Sequence, residues 1–223
     1  MKARLLTVQQ VADGTAAFTF ELHDPFSFES GQTCDLTIPN PKYQDDKGSA
    51  RTFSIVSSPS ELPRLTFATR LTGSAFKRTL LEGAPGLEVD VDGPFGSFTL
   101  HKNTAKPAML FAGGIGITPF HSIIKDATER KLPHKITLFY SNTSPARAAF
   151  LADLEKWQKE NPNFRLVNMA MVDANLVKTN FDVKSNAIAY VAGPPGFVGA
   201  VRSTLDSIGA DPDNIRTEEF SGY

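Results

Sequence analysis

The second half of the chain contains the feature that most constrains its fold. A continuous apolar run, PAMLFAGG at 107–114, leads into a segment of helical length at 119–131. A strand without a polar face is typical of a parallel sheet, because helices cover both of its faces. The pattern then repeats, with strands at 135–141, 164–171, 187–193 and 214–220 and helices at 146–160 and 195–208. This alternation predicts a doubly wound parallel sheet with right-handed crossovers.

The first hundred residues follow a different rhythm. Most segments alternate apolar with polar residues and are separated by turn residues, which predicts an antiparallel barrel or sandwich. The predicted strands cover 16–22, 32–39, 51–57, 64–70 and 87–92, with one helix at 75–81. The polar stretch LHKNTAK, which lacks any pattern, marks the change of rhythm. We therefore predict two domains, residues 1–102 and 103–223.

Charge and cysteine content exclude several classes of function. A net charge of −1 over 223 residues leaves no basic footprint for nucleic acid. No apolar run reaches the length of a membrane span, and the N-terminal residues lack the pattern of a secretory leader. The single cysteine, Cys34, excludes an internal disulfide, and the histidines lack metal-ligand spacing. We expect a cytoplasmic protein with no metal site, no nucleic-acid partner and no integral membrane segment.

Two glycine-rich turns follow apolar strands of the second half. In AGGIGITPF, Gly114 and Gly116 allow a tight turn that a ligand can approach, and Pro119 is expected at the first helical position. In VAGPPGFVGA, Gly193 and Gly196 repeat this arrangement. The first turn is neither the dinucleotide G-x-G-x-x-G nor a Walker A loop. Two bare turns at the carboxyl edge of one sheet indicate a two-part ligand joined by phosphate.

A third candidate site lies in the first half. Thr69 and Arg70 end one predicted strand, and Gly73 and Ser74 open the helix beside it. A helix start with glycine and serine is suited to an anion, and Ser74 also serves as the N-cap. We therefore predict that an anionic group binds here.

Six segments, taken together and in order, resemble the ferredoxin–NADP reductase superfamily. They are RTFS, GSAFKRTL, DGPFGSF, GGIGITP, AGPPG and RTEEFSGY. No single segment is decisive, but six in the right order are highly specific. The resemblance implies an antiparallel flavin-binding β-barrel followed by a doubly wound parallel-sheet nicotinamide-binding domain.

The resemblance also implies roles for the RTFS strand. Arg51 would pair with the flavin pyrophosphate, a contact to which a guanidinium is suited. Phe53 would lie against the isoalloxazine or the ribityl chain, and Ser54 would hydrogen-bond the ring nitrogen that accepts the hydride. The other implied flavin positions are Thr52, Thr69, Arg70, Gly73, Ser74, Ala75 and Phe76. FAD is expected rather than FMN, on its frequency in the family.

In the second half, the resemblance assigns both glycine turns to NADPH or NADH. The implied positions are Gly114, Gly116, Ile117, Thr118, Pro119, Gly193, Pro194, Pro195 and Gly196. Ser141 and Asn142 follow the second parallel strand and suit either nucleotide. Near the C-terminus, Glu219 is expected to assist proton or hydride traffic and Phe220 to cover the flavin ring. For the C-terminal Tyr223, three expectations stay open: it covers the flavin ring, it covers the adenine, or it frays as chain termini do.

The implied function is that of a flavoprotein reductase. It takes a hydride from NAD(P)H onto FAD and passes electrons to a separate acceptor protein such as a ferredoxin, flavodoxin, haem protein or oxygenase. The chain departs from many relatives in having Ala192 where they have a cysteine, and its one cysteine cannot hold an iron–sulfur cluster. Two alternatives stay open: an electron-transfer subunit of a larger complex, and a flavin-free nucleotide-binding regulatory module.

Overall fold

The computed structural model describes residues 1–83, 85–180 and 186–220. Its first half forms a six-stranded antiparallel sheet and its second half a five-stranded parallel sheet. The first-half elements are β1 (Lys2–Ala12), β2 (Thr15–Leu22), β3 (Thr33–Thr37), β4 (Ala50–Ser54), β5 (Arg64–Arg70), α1 (Ala75–Leu81) and β6 (Glu88–Phe95). The second-half elements are β7 (Ala108–Gly113), α2 (Ile117–Glu129), β8 (Ile136–Ser141), α3 (Leu151–Glu160), β9 (Phe164–Met169), α4 (Ala174–Asn180), β10 (Ile188–Gly193), α5 (Pro195–Ser207) and β11 (Ile215–Glu219).

The antiparallel sheet curls into a barrel. Its strands lie in the order β4-β3-β6-β1-β2-β5, so β4 and β5 are the two edges. The segment after β4 crosses to β5, where the N–H of Val56 donates to the carbonyl of Thr66 at 2.8 Å. Alternate side chains fill the interior, among them Phe18, Phe20 and Leu36, each at most 1% exposed.

The parallel sheet is buried on both faces. Every residue of β7 is buried, and alternate residues enter two separate cores. Leu110 packs with Ile123 and Leu138 in one core, and Phe111 packs with Phe139 in the other. This arrangement confirms the prediction made from the unbroken apolar run.

The order of the parallel strands creates a crevice. The order is β11-β10-β7-β8-β9, so the chain leaves β7 for β8 on one side and returns to β10 on the other. In doubly wound sheets, ligands bind beyond the carboxyl ends of the strands at such a reversal. Gly113 and Gly193 end the two strands that flank it.

Several predicted elements have different bounds. The strand predicted at 51–57 ends at Ser54. The chain then turns away from β3, and the N–H of Val56 bonds to Thr66 of β5 instead. The helix predicted from Pro119 begins at Ile117, directly after a 3₁₀ turn at Gly114–Gly116. Pro119 is therefore the third helical residue, where its missing N–H still has no intrahelical partner to lose.

The helix predicted at 146–160 begins only at Leu151. Phe150 adopts a left-handed φ of 60°, and a 3₁₀ turn precedes it at Pro145–Arg147. The barrel holds this loop, since the N–H of Asp13 donates to the carbonyl of Ala146 at 2.9 Å. Strand β1 has no counterpart among the predicted strands, and α4 lies in the polar connection that follows β9.

None of the helices in the described ranges is long and apolar enough to cross a membrane.

Candidate active site

A cavity of about 660 Å³ lies between the barrel and the carboxyl end of the parallel sheet. Strands β3, β4 and β5 and helix α1 contribute one wall, and the turn before α2 and the end of β11 contribute the other. Nine of the predicted site residues line it: Arg51, Thr52, Phe53, Ser54, Thr69, Ser74, Thr118, Glu219 and Phe220. A second cavity, of about 830 Å³, lies between the barrel and helices α2 and α3, and none of the predicted residues lines it.

The RTFS strand meets the cavity along its edge. Because β4 is an edge strand, its four residues from Arg51 to Ser54 all line the cavity although they alternate in direction. Phe53 packs against Phe67 and Phe76, with ring centroids 6.1 and 5.8 Å away. Thr52 donates a hydrogen bond to the carboxylate of Asp35. An edge strand can therefore present a charge, a ring and a hydroxyl to one ligand.

Ser54 has the clearest sign of a missing partner. Its side chain is 6% exposed, and its Oγ has no hydrogen-bond partner among the described residues. A buried hydroxyl without a partner is costly, and such groups in native proteins call for an explanation. A ligand atom in the cavity would satisfy this hydroxyl, so the site fits a ligand with a hydrogen-bonding ring.

One end of the cavity is cationic. Arg51, Lys47 and Lys77 all line it there. Burial, followed by the nearby charges of Arg51 and Lys47, lowers the pKa of Lys77. The Arg51 guanidinium donates to the carbonyls of Lys47, Gly48 and Ala50 at 2.6–3.0 Å. This concentration of positive charge suits an anionic group such as phosphate.

Asp45 lies beside this cationic end. One carboxylate oxygen is 3.5 Å from the Arg51 guanidinium, and the other accepts from the N–H of Ala75 at 3.1 Å. The acidic and basic residues at 45–47 are typical of a solvated loop, and Asp45 and Lys47 are indeed exposed. The loop nevertheless folds back onto α1, and Lys47 lines the cavity. Nothing in the local sequence pattern signals this fold-back.

The glycine turns bring β7, α2 and β10 into direct contact. A Cβ at Gly116 would lie 2.1 Å from the carbonyl oxygen of Ala192, and one at Gly113 would lie 2.7 Å from the ring of Phe197. Only glycine fits at either position. These glycines therefore allow the two turns to pack closely together, whereas a Cβ at Gly196 would meet nothing within 4 Å, so the second turn is open there.

The remaining predicted residues do not line this cavity. Arg70 bonds to Thr15 Oγ1 at 3.0 Å and to the carbonyl of Arg147 at 3.2 Å, joining the barrel to the loop before α3. The side chains of Ile117 and Pro119 are buried. The others that do not line the cavity are Gly73, Ala75, Phe76, Gly114, Gly116, Gly193, Pro194, Pro195, Gly196, Ser141 and Asn142. Tyr223 lies outside the described residues.

Ser141 and Asn142 lie at the carboxyl end of β8, beside the crevice. Ser141 donates to the carbonyl of Ala170 at 3.2 Å. The Oδ1 of Asn142 is buried and has no partner among the described residues. This amide oxygen is a second polar atom that a ligand at the sheet edge would satisfy.

Glu218 is a site residue that sequence reasoning missed. Its Oε2 is buried without a partner in the described part of the chain, and burial raises the pKa of the carboxyl to about 7. Glu219 also lines the cavity but is exposed. The alternation of β11 gives the signal that was available, because Glu218 shares a face with Phe220 and Glu219 does not.

Comparisons with known proteins agree with this architecture. The family model for an oxidoreductase NAD-binding domain matches residues 110–203. The reductase component 2 of terephthalate 1,2-dioxygenase from Comamonas is 26% identical over 208 residues, covering 87% of this chain and 60% of that protein. The chain therefore spans about 60% of the length of that curated relative.

Solved structures share the whole fold. The Amycolatopsis cytochrome P450 reductase GcoB superposes with a TM-score of 0.85 at 24% identity, covering 100% of this chain and 70% of that one. The ferredoxin–NADP⁺ reductase of Plasmodium falciparum superposes with a TM-score of 0.81 at 17% identity, covering 98% and 95% of the two chains.

The fold therefore joins an antiparallel barrel to a parallel-sheet half that matches the model of an oxidoreductase NAD-binding domain. The matched domain model, the Comamonas reductase component and the shared fold all agree with the resemblance to the ferredoxin–NADP reductase superfamily.

Proposed function

We propose that this chain is an NAD(P)H-dependent flavin reductase that passes electrons to a separate acceptor protein. The observation that carries the proposal is the unpartnered Ser54 hydroxyl in a cavity that also contains Glu218 and Phe220. A protein that bound only a nucleotide at the sheet edge would have no use for this hydroxyl on the barrel side. The flavin-free module is therefore the weaker alternative.

The barrel residues fit FAD. Arg51, Lys47 and Lys77 would hold its phosphates, since their charges converge at one end of the cavity. Phe53 would support the ring system, and Ser54 would donate a hydrogen bond to it. When bound, the flavin supplies the ability to accept a hydride and to release electrons one at a time.

The parallel sheet would bind NADPH or NADH. The close packing of the two glycine turns brings the ends of β7 and β10 together, and the open backbone at Gly196 would leave room for the nucleotide beside them. Ser141 and Asn142 would contact its far end, beyond β8. Phe220 packs beside Ile115, Val56 and Ala68, at the junction of the two halves, and would shield the reacting ring from water.

A carboxyl group with a pKa near 7 is suited to proton transfer at neutral pH. Glu218 is such a group, and it lines the same cavity as Ser54. We assign the proton-handling role to Glu218 in preference to the exposed Glu219. Ala192, its register partner on β10, carries no functional group, so Glu218 has no thiol beside it.

The proposal also covers the electron acceptor and the cellular location. The Comamonas relative is named as a reductase component of a dioxygenase, which favours an oxygenase-type acceptor or an intermediate ferredoxin. Because that relative is longer, the chain also fits an electron-transfer subunit of a larger complex. A cytoplasmic location is proposed from the single cysteine of the sequence, which leaves no internal disulfide.

Steady-state turnover tests the proposal. The protein, reconstituted with FAD, is expected to oxidise NADH or NADPH with ferricyanide as a one-electron acceptor. The same protein stripped of flavin is the control and is expected to show no turnover. Equal rates with and without flavin would contradict the proposal.

A further inference from the structure

The peptide segment after Ser54 is held by both halves of the molecule. On the barrel side, the N–H of Ile55 donates to Gln32 at 2.9 Å, and the N–H of Val56 donates to Thr66 at 2.8 Å. On the other side, the carbonyls of Val56 and Ser57 accept hydrogen bonds from α2. The N–H groups of this segment thus bond the barrel, and its carbonyl groups bond the parallel-sheet half.

Two adjacent side chains of α2 provide these bonds. The Nδ1 of His121 lies 2.9 Å from the carbonyl of Val56, and the Oγ of Ser122 donates to the carbonyl of Ser57 at 2.6 Å. A carbonyl only accepts, so Nδ1 of His121 carries a proton. Both side chains are buried, at 7% and 0% exposure. The two hydrogen bonds therefore connect α2 directly to residues 56 and 57, and the protein shields them from solvent.

The neighbours of His121 fix its ring. The ring centroids of Phe150 and Trp157 are 4.4 and 4.7 Å away, and the carboxylate of Asp153 is 3.4 Å from Nε2. Helix α3 and the residue before it therefore prevent the imidazole from rotating away from Val56. This contact with His121 also lowers the pKa of Asp153.

Helix α2 begins at the first glycine turn. The turn's Ile115 packs against Val56 and Ala68 of the barrel, and His121 and Ser122 lie one turn further along the same helix. A rigid helix therefore connects the nucleotide turn to the segment that follows Ser54. The spacing between the two is set by these contacts and not by a flexible linker.

We propose that His121 and Ser122 are positioning residues, which set the distance between Ser54 and the nucleotide turn and thereby the approach of the nicotinamide to the flavin. This inference rests on the proposed function. Hydride transfer needs reacting atoms about 3–3.5 Å apart, and misplacement by about 1 Å costs up to about 100-fold in rate. Loss of either bond should slow the transfer without removing any group that touches the nucleotide.

The test compares two substitutions at one position. His121→Leu removes the donor to Val56, whereas in His121→Asn the side-chain amide keeps a donor close to the place of Nδ1. We expect the limiting rate of flavin reduction, measured by stopped flow at saturating NAD(P)H, to fall about tenfold in His121→Leu. Nucleotide dissociation constants should change less than about twofold. His121→Asn should recover most of the rate, and Ser122→Ala should resemble His121→Leu.

Ser60→Ala is the matched control. Ser60 also connects the barrel to α2, through a 2.7 Å bond to Glu129, and the other bond of its hydroxyl goes to Ser58 rather than to residues 55–57. In Ser60→Ala, NAD(P)H should reduce the flavin at the wild-type rate. Hydrogen exchange supplies a readout that does not depend on flavin: in the apoprotein, the amides of 55–57 should exchange faster in His121→Leu than in Ser60→Ala.

Any of three results would overturn the inference but leave the proposed function standing. They are a wild-type rate of flavin reduction in His121→Leu, no recovery of that rate in His121→Asn, or equal slowing in Ser60→Ala. Unchanged exchange at 55–57 in His121→Leu would also overturn it. If the flavin of the wild-type protein is not reduced by either nucleotide, the proposed function fails and the inference fails with it.

Discussion

At the scale of single residues, unsatisfied polar atoms mark the site. Five buried side-chain atoms have no partner in the described part of the chain: Ser54 Oγ, Asn142 Oδ1 and Glu218 Oε2 lie at or beside the site, whereas His134 Nδ1 and Asn180 Oδ1 belong to residues that do not line the cavity. The first three concern the site. Two of the three lie in one cavity, and the third lies at the carboxyl edge of the parallel sheet. Buried polar groups are normally paired, so each of these atoms indicates a contact that a ligand would make.

The Ser54 hydroxyl should matter more for reaction than for retention. Ser54→Ala removes one hydrogen bond near the reacting ring but leaves the cationic end of the cavity intact. We expect flavin reduction by NAD(P)H to slow about tenfold or more, while the flavin dissociation constant rises less. Stopped-flow reduction and flavin titration measure the two effects, and equal losses in both would contradict the assigned role.

Lys77, in contrast to Ser54, should matter more for flavin binding than for the reaction. Lys77→Met removes a charge from the end of the cavity assigned to phosphate. Hydrogen bonds to charged groups contribute about 1.5–3 kcal/mol, so flavin affinity should fall about tenfold or more. Lys159→Met, at an exposed position of α3, is the control. If the two variants bind flavin equally well, the phosphate site is wrongly placed.

Glu218 should give the reaction a pH dependence. Its pKa is raised to about 7, so the group is neutral below that pH and negative above it. A negative charge in the cavity opposes the addition of electrons, so flavin reduction should slow as the pH rises through about 7. In Glu218→Gln the rate should not change across this range, whereas in Glu219→Gln the wild-type profile should persist. If instead Glu219→Gln abolished the pH dependence and Glu218→Gln kept it, the role would belong to Glu219, as predicted from the sequence.

At the scale of elements, the connection between the halves is pinned by a buried network. The hydroxyl of Tyr190 on β10 accepts from the N–H of His101 at 2.9 Å and from Arg216 at 3.2 Å. It therefore donates its own proton to Nδ1 of His101, 3.0 Å away, and Nε2 donates to the carbonyl of Lys106. The bond that Nδ1 accepts from Tyr190 requires a neutral imidazole, and burial lowers the pKa of His101 by more than the bond to Lys106 raises it.

This network makes stability depend on pH. Below about pH 6.5 the unfolded chain protonates His101, while the folded protein resists protonation to a lower pH. The unfolded state then binds more protons, so stability falls as the pH drops below 6.5. Urea unfolding should show that His101→Phe removes this part of the dependence and costs about 1–3 kcal/mol at pH 8. His23→Phe, at an exposed position, should keep the wild-type dependence.

Periodicity in the sequence was sufficient to predict most elements. The apolar run at β7 and the alternation of β2 and β5 each reflect burial, which local sequence records. The failures have long-range causes. The end of β4 depends on a bond to Thr66, and the late start of α3 depends on contact with the barrel near Asp13. The same holds for the site, where Lys47 reaches the cavity only through a loop that folds back onto α1.

At the scale of the whole molecule, neither sheet forms the cavity alone. The barrel contributes the edge strand and the cationic end, and the parallel-sheet half contributes the glycine turn and the end of β11. The N–H of Phe220 bonds to Gly193 at 3.0 Å, so the last described residue is tied to the second glycine turn. This shared construction explains why four of the six sequence segments, RTFS, GSAFKRTL, GGIGITP and RTEEFSGY, contribute residues to one cavity.

The visible absorption spectrum under anaerobic conditions tests the central claim most directly. The purified protein, supplied with FAD if needed, should show flavin bands that bleach on addition of NADH or NADPH, and the faster nucleotide identifies the physiological donor. A protein that stays colourless after incubation with FAD or FMN, or whose bound flavin is not bleached by either nucleotide, would contradict the account.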